Sequence, residues 1–87
     1  MSTSATIQVD NIYFYQSHDG YAQDVFEGLK PLIKEAQEKD KRNPDFTFIE
    51  ILQHLMIKVG YDNVFEPISS DYYYKVDEEG NFIVNPD

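Results

Sequence analysis

The spacing of apolar residues along this chain changes character twice. Over residues 6–15 the chain is rich in β-branched and aromatic residues and alternates as a strand does. Ile7 and Val9 share one parity, whereas Ile12 and Phe14 share the other. The phase flips at Asp10-Asn11, a turn-prone pair. A bulge there would let both apolar pairs face one core, and a tight turn making two short strands is the alternative. Residues 1–5 read as a loose polar tail ahead of this segment.

Ser17-His18-Asp19-Gly20 breaks the strand, and beyond it the spacing is helical. Ala22, Val25, Phe26, Leu29, Leu32, Ile33 and Ala36 fall on one stripe at three- and four-residue intervals. Pro31 lies inside the stripe, removes a backbone donor and crowds the carbonyl of Glu27, which predicts a kink or break after Gly28. Residues 40–45 form a charged connector ending in Asn43-Pro44. A second helix is expected over residues 46–59, with Phe48, Ile51, Leu52, Leu55, Met56 and Val59 buried. Thr47 and Glu50 have capping-box spacing, and Gly60 suits the left-handed residue after the last turn.

The remainder is strand-like again. Residues 64–68 form a short strand that Pro67 marks as an edge or an end. Residues 72–76 and 82–84 form two more, joined by a hairpin loop over 77–81 in which Gly80 is free to take a positive φ. The order β-α-α-β-β-β predicts an α+β fold, with two helices packed on one face of a small, mostly antiparallel sheet. Residues 1–87 are expected to form one domain, since 87 residues are too few for two.

Charge narrows the function. Sixteen acids against seven bases give a formal net charge of −9 and argue against direct nucleic-acid binding, which needs a basic surface to meet phosphates. Five of the seven bases, Lys30, Lys34, Lys39, Lys41 and Arg42, fall within thirteen residues, where lysines complement the end of a helix. Residues 43–87 carry nine acids against Lys58 and Lys75. The absence of cysteine excludes disulfides and thiolate chemistry. No apolar run approaches the roughly 20 residues of a membrane span. No signal peptide is visible, and a cytoplasmic protein with no membrane partner is expected.

Two segments carry a resemblance. One is Ile12-Tyr13-Phe14-Tyr15 running into His18-Asp19-Gly20-Tyr21 and a helix; the other is Asp71-Tyr72-Tyr73-Tyr74-Lys75-Val76-Asp77 followed by Gly80 and Phe82-Ile83-Val84. Together they resemble a group of short, uncharacterised bacterial and phage proteins. There, a strand ends in His-Asp-Gly-Tyr-Pro, and a late strand reads acid-x-Tyr-x-Tyr-x-Val/Ile-Asp before a glycine turn. Ala22 stands where that group has proline. The resemblance implies a fold and a phage or bacterial setting, and carries over no catalytic residue.

Two kinds of site compete. The first is an interface. In a strand, Tyr72 and Tyr74 share one face and Tyr73 takes the other, so at least one ring looks away from the helices. A tyrosine-bearing, acid-rimmed sheet suits protein recognition, because tyrosine gives contact area at low entropy cost. The residues singled out are Asp71, Tyr73, Asp77, Glu78 and Glu79, and the partner is a protein with a basic surface. By analogy of size and charge, this is a phage-type inhibitor of a host nucleic-acid enzyme or defence protein, without catalysis. The alternative is a small-ligand or hydrolytic site at His18, Asp19 and Tyr21, where Asp19 would cap the helix and Gly20 permit an unusual turn. A homodimer would have to complete a pocket there, since 87 residues leave little room. Ser17-His18-Asp19 is read as no triad, on the expectation that adjacent side chains point apart. His54, one turn after Glu50, is expected to be ion-paired and partly exposed. No cofactor, metal site, phosphate loop or dinucleotide fingerprint is expected.

Overall fold

A computed structural model describes residues 3–42 and 45–86; Met1, Ser2, Asp87 and the Asn43-Pro44 end of the expected connector lie outside it. The segment over 6–15 is a hairpin: β1 (Ala5–Val9) and β2 (Ile12–Gln16) pair antiparallel, with Val9 opposite Ile12. Asp10 turns the chain with φ 56°. The tight turn explains the phase flip, because folding the strand back puts Ile7, Val9, Ile12 and Phe14 on one face. The observed order is therefore β-β-α-α-β-β-β in place of the β-α-α-β-β-β expected.

α1 (Ala22–Arg42) runs unbroken through Pro31, and its last residues occupy what was expected to be connector. Val25 and Leu29 before the proline and Ile33 and Ala36 after it are buried in one core cluster. The three- and four-residue spacing holds across Pro31, so core burial keeps both halves in register, and the proline ring sits on the exposed face. Phe26 is not on the core stripe as expected: it is 39% exposed and flanks the helix, with its ring 5.4 Å from that of Phe82.

α2 (Phe48–Val59) starts two residues later than expected, because Thr47 is its N-cap. The Thr47 hydroxyl accepts from the Glu50 N–H and the Glu50 carboxylate accepts from the Thr47 N–H, while Gly60 closes the helix at φ 107°. Phe48, Leu52, Leu55 and Met56 are buried as expected, joined by Ile49; Ile51 is partly buried, and Val59 is 58% exposed, its side chain past the edge of the core.

β3 (Asp62–Val64), β4 (Tyr72–Val76) and β5 (Phe82–Val84) complete a five-stranded sheet in the order β3-β2-β1-β4-β5. The strand expected over 64–68 stops at Val64, and Phe65 beyond it is 99% exposed. The sheet is mixed: β1 and β4 pair parallel at its centre, Ala5 opposite Tyr72 and Val9 opposite Val76, and the outer pairings are antiparallel. Both helices pack on one face, over Ile7, Val9, Phe14, Tyr74 and Val76. Thr3 to Ala5, expected as loose tail, are instead built into the fold. Thr3 accepts from the Gly20 N–H, Ser4 accepts from the Tyr72 N–H, and Ala5 is fully buried. On the opposite face, Thr6 is buried under residues 68–70, donating to the Ile68 carbonyl at 3.0 Å and meeting the Ser70 hydroxyl at 2.9 Å.

Candidate functional site

The face of the sheet away from the helices carries Tyr13 and Tyr15 from β2, Gln8 from β1, Tyr73 and Lys75 from β4 and Ile83 from β5, all half-buried. The strand period dictates this: each alternates with a neighbour turned into the core. Tyr73 is the ring of its triplet that lies on the face away from the helices, whereas Tyr74 is fully buried and its hydroxyl donates to the Gly20 carbonyl at 2.6 Å. The Tyr73 hydroxyl donates to Gln8 Oε1 at 2.9 Å. Partial burial, and then the neighbouring Tyr13, push its phenol above the ordinary tyrosine range.

A shallow cleft lined by Gln8, Tyr73, Lys75, Asn85 and Pro86 continues, through Gln8 and Lys75, into a second that adds Asp10, Ile49, Asp77, Glu78 and Glu79. A third shares Asp10, Ile49 and Glu78 and reaches Asp40 and Glu50. The strip thus leads from the Tyr73 ring to an acidic end, where six carboxylates from four stretches of chain lie beside one ammonium, Lys75. Among the described residues the one ion pair is Lys39 with Glu35 at 3.6 Å, so none of the six is neutralised by a salt bridge.

Of the five residues read as an interface, the strip unites Tyr73, Asp77, Glu78 and Glu79. Asp77 is occupied: its carboxylate accepts from the Glu79 and Asn81 N–H groups, both at 2.9 Å, and from Asn81 Nδ2 at 3.0 Å. The bonds from Asn81 hold this carboxyl below the ordinary aspartate range. Asp77 therefore closes the hairpin, while Glu78 and Glu79 at its tip are exposed. Asp71 lies at the other end of β4, where Oδ2 accepts from the Ser4 N–H at 3.0 Å and the Ser4 hydroxyl at 3.3 Å; it fastens the start of β1 and is not part of the strip. Asp10, Asp40 and Glu50 were not read as interface residues in the sequence. Only the fold brings them to Glu78, and no local spacing signals that.

At the opposite end of the sheet, residues 17–21 join β2 to α1. Asp19 does not cap the helix: its backbone is left-handed (φ 55°), and the first helical turn is closed by the Val25 N–H on the Tyr21 carbonyl. Gly20, expected to supply an unusual turn, supplies space instead, since a Cβ there would come within 2.7 Å of the Ser4 backbone. Ser17 and His18 do not point apart; Ser17 Oγ and His18 Nδ1 are 2.8 Å apart. Gln16 Nε2 donates to the His18 and Asp19 carbonyls, and the Tyr21 ring leans on Tyr72 at 5.8 Å. His18 and Asp19 are exposed.

His54 is exposed but unpaired with Glu50, whose carboxylate is held by the Thr47 N–H and hydroxyl. No group of three or more histidines and acids among the described residues has the geometry to hold a metal ion. No helix among them is long and apolar enough to cross a membrane. Comparison with known proteins finds no matching family model, no similar curated protein and no similar solved structure.

Proposed function

We propose that the protein is a small, non-enzymatic binding protein whose acidic strip covers a basic surface of a partner protein, with the Tyr73 ring as anchor. The observation that supports this reading is the convergence of Asp10, Asp40, Glu50, Asp77, Glu78 and Glu79 on one surface broken only by Lys75. Carboxylates gathered at one end without a salt bridge steer a cationic partner, and a half-buried aromatic beside them supplies desolvated contact area. In the phage or bacterial setting that the resemblance implies, the partner class is a host nucleic-acid enzyme or defence protein, inhibited by occupation of its basic surface. The test is association and dissociation kinetics at two salt concentrations, with the partner captured from bacterial lysate. The double variant Glu78→Gln, Glu79→Gln should associate more slowly and lose much of the salt dependence. Tyr73→Ala should dissociate faster. Salt-insensitive binding that the double variant leaves unchanged would overturn the reading.

A further inference from the structure

The two free margins of the sheet are not alike. β3 ends one side, carries Asp62 and runs into Glu66 and Pro67, the charge and proline that blunt an exposed strand edge. β5 ends the other, and residues 81–86, Asn-Phe-Ile-Val-Asn-Pro, contain no charge. Val84 is 48% exposed and Phe26, beside Phe82, is 39% exposed, so this margin is apolar as well as open.

The ladder fixes which backbone groups are open. The Asn85 N–H donates to the Tyr73 carbonyl and the Asp77 N–H to the Asn81 carbonyl. In an antiparallel pair, bonded and non-bonded positions alternate, so Ile83 exchanges hydrogen bonds with Lys75, whereas Phe82 and Val84 turn their N–H and C=O groups outward. Two donors and two acceptors are thus presented symmetrically about Ile83.

We infer that β5 is a self-association edge, at which a second copy of this chain pairs antiparallel about a two-fold axis through Ile83 and extends the sheet to ten strands. Phe82 of each copy then lies opposite Val84 of the other, and the two pairs make four inter-chain hydrogen bonds. Phe82, Val84 and Phe26 of both copies meet on the helix side, and the Ile83 side chains meet on the other. The second copy is favoured as occupant because the edge is its own complement under that rotation. Two chains of charge −9 repel elsewhere, and here they approach along six uncharged residues. A three-residue strand makes a small interface, so the association is concentration-dependent.

Sedimentation of the full chain over a wide concentration range should show mass rising twofold from the 10.2 kDa monomer, more readily at high salt, where the like charges are screened. Hydrogen exchange should slow at the Phe82 and Val84 amides as concentration rises and stay constant at Ile83, whose amide is already bonded. Val84→Pro removes an outward donor that the ladder does not use, and Val84→Lys places a charge on the edge; both should remain monomeric with unchanged circular dichroism. A wild-type chain monomeric at every concentration would overturn the inference. So would a dimer that survives both substitutions, or one in which the two amides exchange freely, since its contact lies elsewhere.

Discussion

The Tyr74 hydroxyl and the Gly20 carbonyl are joined by a 2.6 Å hydrogen bond that ties the centre of β4 to the turn ahead of α1. Tyr74 is fully buried, so Tyr74→Phe should leave a buried carbonyl without its partner and cost about 1–3 kcal/mol. Gly20→Ala should also destabilise, by ~1–3 kcal/mol or more, because its methyl group meets backbone rather than a movable side chain. Urea denaturation checks both; a wild-type midpoint for Gly20→Ala would mean that Thr3 and Ser4 move aside freely.

Leu52 and Phe26 should separate in stability. Leu52 is fully buried at the middle of α2, and Leu52→Ala is expected to cost about 2–5 kcal/mol. Phe26 keeps 39% of its surface in water, and Phe26→Ala should cost less, ~1–2 kcal/mol. Thermal melting of the two variants gives the order directly.

Alkaline pH should weaken the fold through its tyrosines. Burial raises the phenols of Tyr61, Tyr73 and Tyr74 above the ordinary value. The native state then holds protons that the unfolded chain releases, so this stabilisation is full below the ordinary tyrosine range and is lost as pH climbs through the raised native values. Tyrosinate absorbance followed beside circular dichroism should show part of the ionisation arriving together with unfolding.

Acid should act through Asp77 in the opposite sense. Its carboxyl is depressed by the Asn81 and Glu79 donors, so its contribution is present above the ordinary aspartate range and is lost as pH falls through the depressed native value. The stability of Asp77→Ala should accordingly converge on that of the wild type at low pH. A constant gap between the two across the acid range would mean that Asp77 contributes independently of its charge.

Local chemistry was legible in the sequence wherever one short segment settles its own structure. Thr47, Glu50 and Gly60 announce both ends of α2, whereas the flip between Val9 and Ile12 marks a break in the strand without deciding between a bulge and the turn that the structure has. Gly80 likewise has the positive φ its hairpin needs (87°). Tertiary choices were not legible. Periodicity says which side chains are buried but not against what, so the parallel partner of β1 and the position of Phe26 at the flank of the core were hidden. Gly20 has the signature of a turn glycine yet serves a close approach between backbones. The candidate strip was half visible: Glu78 and Glu79 stand out as a run, while Asp10, Asp40 and Glu50 are isolated acids until the fold gathers them.

The parallel pairing of β1 with β4 also sets the order of events in assembly. Ser4 and Asp71, bonded across that pairing, are 67 positions apart, so a large loop must close before the central ladder can form. The β1–β2 hairpin and α2 can form from neighbouring residues alone. On the ribosome, the middle of the sheet cannot be filled until residues 72–76 have left the exit tunnel. Until then β1 shows a bare inner edge, Ala5 to Val9, that a chaperone or another nascent chain can reach.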